Sequence, residues 1–236
     1  MELQRTLKRN YSITNITDED HIVNGRCPSY ALIWRREDNK PYWSSGHNYY
    51  MGNGTNINDG TQLVREILSE RFENGTLNKY LLFCDLDGVL ADFEQGIKDK
   101  FNKKIDEINP SLMWGVINKS KSFFETLPWM PKGKELWEKI REYKPIILTG
   151  VPQGSATAVQ QKINWCQREL GPDVKVITCL TKEKPNYCIP YSILIDDRVD
   201  NLEAWNKKGG KFMLYKEEDL NSIVERIDRQ MGKDLP

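Results

Sequence analysis

Leu81-Leu82-Phe83-Cys84-Asp85-Leu86-Asp87-Gly88-Val89-Leu90-Ala91-Asp92-Phe93 is the stretch on which the reading of this chain turns. Four apolar residues pass directly into two carboxylates spaced by one residue, and a glycine follows at once. A buried strand that ends in Asp-x-Asp-Gly carries charge to the point where the chain leaves the core. Such a placement is costly unless a cation or a reaction uses it.

Outward from this stretch, short apolar runs alternate with helical periodicity. Tyr80 to Cys84 reads as a buried strand, and Lys134 to Tyr143 as an amphipathic helix with Leu136, Trp137 and Ile140 on one face. Pro145 to Leu148 is a second strand. Ala156 to Leu170 is a helix stopped by Gly171-Pro172. Val174 to Ile177, Ser192 to Ile195 and Lys211 to Tyr215 are further strands. Asp200 to Lys208 and Leu220 to Gln230 are the remaining helices. This alternation predicts an α/β fold, a parallel sheet with helices on both faces.

Three more strand ends carry polar chemistry. Ile146-Ile147-Leu148 runs into Thr149-Gly150, where a hydroxyl and backbone N–H groups suit a phosphate oxygen. Lys184, in Thr181-Lys182-Glu183-Lys184-Pro185, offers a point cation for phosphate, with Lys182 as a competitor for the role. Ile193-Leu194-Ile195 runs into Asp196-Asp197, and Asp196 is the natural partner of Asp85 for a hard divalent cation. Taken singly, each has a plainer reading, such as a strand cap, a solvated lysine or an acidic loop. Together, in this order, they fit the rule that ligands bind outside the carboxyl ends of the strands in an open α/β sheet.

The four motifs, over roughly residues 80 to 215, resemble those of the haloacid dehalogenase-like phosphatase superfamily. The resemblance implies a Rossmann-like parallel sheet and a magnesium-dependent phosphomonoesterase. Asp85 would be the nucleophile, forming an aspartyl-phosphate, and Asp87 the general acid and base. An acid at this second position is similar to phosphatases, whereas ion-transporting members usually carry threonine. Asp85, the backbone carbonyl of Asp87, and Asp196 would hold Mg2+, with Asp197 orienting its neighbours. Thr149, Gly150 and Lys184 would bind the phosphoryl group.

Between the first and second motifs lies room for a small helical cap, at about 94–130. Its segment Phe123 to Gly133, like Gly88 to Phe93, is similar to the 5'(3')-deoxyribonucleotidase group, which makes a nucleotide the expected substrate. An aromatic cap suits a nucleobase, although Phe123, Phe124, Trp114 and Trp129 equally suit simple packing. Residues 1–78 form a second expected unit, a small α+β region before the phosphatase domain at 79–236. Within it, Tyr30 to Arg36 and Pro41 to Trp43 predict a hairpin. Gly60 to Phe72 predicts a helix with Leu63, Val64, Ile67 and Leu68 on its apolar face, and His47 to Asn58 a loop. Trp34, Arg35, Arg36, Trp43, Tyr49 and Tyr50 interleave aromatics with charge, a pattern that can hold single-stranded nucleic acid. Nearby acidic residues offset it. Two alternatives therefore stand beside the nucleotidase: a phosphatase that processes nucleic-acid ends, and a non-catalytic binding protein that retains the fold.

Bulk composition narrows the classes. The 236 residues carry 34 basic and 34 acidic side chains, so no net field draws the protein to nucleic acid or anionic lipid. No apolar run approaches the ~20 residues that span a bilayer, and no signal-peptide core is present. Five cysteines at scattered positions match neither a disulfide framework nor a zinc site. These features predict reduced thiols and a cytoplasmic protein, with no membrane association.

Overall fold

The computed structural model describes residues 11–13, 31–35, 40–44, 64, 67, 70, 74, 79–153, 155, 157–189 and 191–232. In the amino-terminal region, β1 (Tyr11–Ile13), β2 (Ala31–Arg35) and β3 (Lys40–Ser44) form an antiparallel sheet in the order β1-β2-β3. The predicted hairpin is β2 and β3, with Trp34 opposite Pro41. Proline lacks a donor for the ladder, and β3 is an edge strand, where that lack is tolerated. The predicted loop at 47–58, with Tyr49 and Tyr50, lies outside the described residues.

The larger sheet comprises β4 (Leu81–Cys84), β5 (Ile146–Gly150), β6 (Val176–Cys179), β7 (Ser192–Asp196) and β8 (Lys211–Leu214). All its pairings are parallel, in the order β6-β5-β4-β7-β8. Helices α3 (Gly133–Ile140), α4 (Ala158–Leu170), α5 (Leu202–Lys207) and α6 (Leu220–Met231) complete the alternation, after the two cap helices α1 (Phe93–Phe101) and α2 (Pro110–Ile117). The predicted helix at 200–208 begins instead as a 3-10 turn over Val199–Asn201. The chain winds outward from the central β4 in both directions, so the end of β4 is the switch point where such sheets bind ligands.

The period of two along each strand divides the core between the faces. Leu82, Cys84, Ile147, Ile193, Ile195 and Met213 pack on one face against Leu136, Trp137, Ile140, Trp165, Ile223 and Ile227 from the helices. Leu81, Phe83, Ile146, Leu148, Leu194 and Phe212 pack on the other against Tyr187, Trp205, Val64 and Ile67. Both faces are apolar because both are covered. Each fully buried Leu or Ile contributes about 1.5–3 kcal/mol relative to exposure. Val64, Ile67 and Glu70 are helical, and the first two are 0% and 9% exposed. Val64 and Ile67 thus belong to the core of the larger sheet.

Helix α1 starts where the Asp92 side chain accepts from the Gln95 N–H at 2.8 Å, and α2 starts with Asn109 as its cap and Pro110 in its first turn. The rest of the cap is pinned to α4. Gln161 accepts from the Phe124 N–H at 2.9 Å and donates to the Ser120 carbonyl at 2.9 Å. The Trp165 indole donates to the Leu127 carbonyl at 2.8 Å, and Arg168 to the Glu125 carbonyl at 2.8 Å.

Candidate active site

Asp85 follows the last residue of β4, and its N–H continues the ladder by donating to the Ile195 carbonyl at 2.9 Å. Its side chain therefore leaves the sheet at the central strand, nearly buried. One carboxylate oxygen accepts from the Leu86 N–H at 2.8 Å, and the other lies 2.7 Å from the Lys184 ammonium. Lys184 reaches Asp196 Oδ2 at the same 2.7 Å. Asp196 is the last residue of β7, and its Oδ1 accepts from the Arg198 N–H at 3.0 Å.

Lys184 is brought there by the 3-10 turn Thr181–Tyr187, which buries Lys184, Pro185 and Tyr187 and leaves Lys182 exposed. At 1% exposure the ammonium pays desolvation, yet the Asp85 and Asp196 carboxylates more than offset it and hold Lys184 above its ordinary range. Lys182 does not reach the carboxylates.

Two glycines have a steric reason to be where they are. Gly88 has φ +77, and a Cβ on it would lie 2.3 Å from the Asp197 carboxylate. A Cβ on Gly150 would lie 2.3 Å from Thr181 Oγ1, so a side chain there would force the Thr181 hydroxyl, at the start of the turn that carries Lys184, to move. Thr149 is fully buried, and its hydroxyl accepts from Lys162 at 3.0 Å.

Lys162 is the residue that strand-end reasoning passed over. It sits on α4, is 0% exposed, and its ammonium is hydrogen-bonded and ion-paired with Asp87 Oδ2. The ring of Phe124 lies 4.7 Å from the same ammonium. The signal was present in the helix itself. Ala158, Gln161, Lys162, Trp165 and Cys166 form one buried stripe, and a glutamine and a lysine inside such a stripe contradict its pattern.

The carboxyls crowd one another. Asp85, Asp196 and Asp197 offer ligand atoms that all lie within 4.8 Å of each other. Burial, with the charges of Asp85 and Asp196, pushes Asp197 up to about 7. Burial and the Asp85 charge raise Asp196 against the pull of Lys184. Burial likewise raises Asp87, Lys162 opposes the rise, and Asp85 adds to it. Asp197 Oδ1 is buried without a hydrogen-bond partner. Converging hard oxygens whose repulsion a divalent cation would relieve are a donor set that could hold a hard divalent metal ion.

Above the carboxylates opens a cleft of about 1440 Å³. Asp85, Asp87, Asp197 and Lys184 line its floor, and Phe93, Trp114 and Phe124 line its cap side. Phe93 stacks on Trp114 with centroids 5.8 Å apart and on Phe124 at 6.3 Å. The four cap aromatics thus divide. Trp114 and Phe124 face the cleft. Phe123 packs edge-on against Phe124, and Trp129 donates to Glu169 at 2.8 Å while packing on Trp165.

No family model matches the chain. A curated relative, the mouse protein named 5'(3')-deoxyribonucleotidase, mitochondrial, is 27% identical over 144 residues. The match covers 50% of this chain and 64% of that protein, so the chain spans less than two thirds of the relative's length. Among solved structures, a haloacid dehalogenase-like hydrolase from Streptococcus pneumoniae superimposes with a TM-score of 0.38 at 12% identity, over 61% of this chain and 90% of that one. A second hydrolase from Streptococcus pneumoniae gives 0.38 at 14% identity, over 63% and 99%. The chain resembles a haloacid dehalogenase-like hydrolase. Asp85, Asp87, Lys184 and Asp196 gather at the carboxyl end of the central strands β4 and β7.

Cys84, Cys166, Cys179 and Cys188 are buried free thiols, and Cys27 lies outside the described residues. Burial pushes Cys188 up to about 11 and Cys166 up to about 12, the behaviour of packing groups and not of nucleophiles. Among the described residues no helix is long and apolar enough to cross a membrane.

Proposed function

We propose that this protein is a magnesium-dependent phosphomonoesterase that works through an aspartyl-phosphate on Asp85, with a nucleotide as substrate, in the cytoplasm. The observation that carries the reading is Asp85 itself: a carboxylate on the cleft floor, with Lys184 at 2.7 Å on one side and the Asp87 carboxyl beside it on the same loop.

Asp85, Asp196 and the backbone carbonyl of Asp87 would hold Mg2+, with Asp197 alongside. When bound, the ion offsets the repulsion between a carboxylate nucleophile and a phosphate dianion. Asp85 attacks phosphorus, the new Asp85 O–P bond forms, and the P–O bond to the leaving group breaks. Asp87 delivers its proton to the departing oxygen, so an alcohol leaves and Asp87 becomes a carboxylate. That carboxylate then takes a proton from water, whose oxygen attacks the phosphorus. The Asp85 O–P bond breaks, inorganic phosphate forms, and both aspartates return to their starting states. Burial keeps Asp87 high in its range, which suits a group that must hold a proton before the first step. Lys184 and the backbone of Gly150, with Thr149 behind it, would stabilise the transferring phosphoryl group.

The stacked Phe93 and Trp114 support a planar base as the leaving group's body. The relative named as a deoxyribonucleotidase supports the same class. One observation favours the end-processing alternative: a cleft of about 1440 Å³ exceeds the ~300–1,000 Å³ usual for small ligands. A paired, buried set of ionisable groups argues against a non-catalytic scaffold, because hydrophobic packing there would be at least as stable.

The test is phosphate release from nucleoside monophosphates, sugar phosphates and 3'- or 5'-phosphorylated oligonucleotides, with magnesium or with EDTA. Release that needs magnesium and favours mononucleotides is expected. A preference for oligonucleotides with steep salt dependence would move the assignment to end processing. No release from any ester by folded protein with magnesium would overturn the reading.

A further inference from the structure

Resting on that reading, we propose that Lys162 is the positioning residue of Asp87. It anchors the carboxyl of the general acid from behind the cleft wall and acts on the reaction only through it. Three observations carry the inference.

The first is connectivity. Asp85 is held by both a backbone N–H and an ammonium. Asp87 is not: its Oδ1 has no hydrogen-bond partner, and Lys162 is the single anchor of its carboxyl among the described residues. The orientation of the group that must meet the leaving oxygen therefore depends on one side chain.

The second is location. Asp87 lines the cleft with 27% of its side chain exposed, whereas Lys162 is fully buried and is not among the residues of the cleft wall. Its ammonium spans Asp87 Oδ2 and Thr149 Oγ1, and the Phe124 ring closes over it. A lysine that touched substrate would need a face on the cleft.

The third is economy of packing. Lys162 occupies a position on α4 between Ala158, Trp165 and Cys166, where an apolar residue would complete the stripe. A buried charge pair is often no more stable than apolar side chains of similar volume. Keeping an ammonium there is explained by what it holds. Because Gln161 and Trp165 of the same helix tie down the cap segment, Asp87 and the cleft wall share one rigid support.

The test compares kcat/KM for two esters: the best alkyl phosphate from the panel above and para-nitrophenyl phosphate, whose leaving group departs as a stable anion and needs little protonation. Lys162→Met is expected to lose about 10²-fold on the alkyl ester, the scale of a misplaced catalytic group. Its loss on the aryl ester is expected to be at least about tenfold smaller, since proton donation matters less there. Asp87→Asn should show the same asymmetry, and Asp87→Asn/Lys162→Met should be no slower than Asp87→Asn alone.

Equal losses of Lys162→Met on both esters, or a double variant slowed by the product of the two single effects, would overturn the proposal in favour of direct contact with the phosphoryl group. If Lys162→Met alone fails to fold, the double variant removes the unpaired carboxylate and is compared with Asp87→Asn on the same two esters. If that variant also fails to fold, Lys162 is a structural residue and the proposal falls. A wild type inactive on both esters would overturn the phosphatase reading and this inference with it. An active wild type with the wrong pattern would overturn only the inference.

Discussion

The floor and the cap wall of the cleft are built on opposite physical terms. At the floor and directly beneath it, Asp85, Lys184, Asp196 and Lys162 are almost fully removed from solvent, and each is paired with a group of opposite charge. On the wall, Phe93 and Trp114 stack face to face, and Trp114 remains 36% exposed. The floor can tolerate little movement, because separating any pair strands a charge in a low-dielectric site. The wall can tolerate more, since offset aromatics keep most of their contact through small shifts. On the proposed function, the nucleophile Asp85 would sit where geometry is most tightly held, and recognition where it is adaptable.

The sharpest break of this contrast is Asp85→Asn. Turnover should fall by on the order of 10⁴-fold or more, as for other covalent nucleophiles. The thermal unfolding midpoint should hold or rise, because crowding among the carboxylates is relieved. Substantial residual activity would remove Asp85 as nucleophile.

Lys184→Met attacks the floor through stability. It leaves Asp85 and Asp196 facing each other without their shared cation, at a cost of about 3–5 kcal/mol. Urea unfolding in EDTA measures the loss, and added magnesium should recover part of it. A variant as stable as wild type in EDTA would show that the pair does not depend on this ammonium.

Gly88→Ala tests the loop between them. A Cβ 2.3 Å from the Asp197 carboxylate, at φ +77, must displace one or the other. The expected cost is about 1–3 kcal/mol of strain, with a matching loss of turnover as Asp87 shifts. Unchanged kinetics would show that the loop adapts more freely than its packing implies.

Trp114→Ala is the mildest change and sits on the wall. KM for a nucleotide should rise several-fold, in keeping with about 0.5–1.5 kcal/mol for one aromatic contact, while kcat stays near wild type. A fall in kcat with KM unchanged would place Trp114 with the floor and erase the distinction.

Much of the floor was readable along the chain because of how parallel sheets work. A strand buried on both faces must be apolar throughout, so Leu81–Cys84 and Ser192–Asp196 advertise themselves, and a carboxylate at such an end stands out against the run before it. Lys162 was hidden for the converse reason. A helix of mixed character has many lysines on its surface, and only the phase of the buried stripe marks this one as inward-facing. The choice between Lys182 and Lys184 was equally invisible, since two lysines two residues apart are told apart only by the 3-10 turn that buries one of them.

The sequence by itself determined the α/β class, the order of the strands along the chain and the chemical identity of the strand ends, because these follow from local periodicity and from the cost of burying charge. Only the tertiary structure decided which cation meets which carboxylate, which aromatics of the cap reach the cleft, and that Val64 and Ile67 belong to the core of the larger sheet. Those outcomes depend on contacts between residues far apart in the chain. Local pattern carries no information about distances that the packing of helices on a sheet creates.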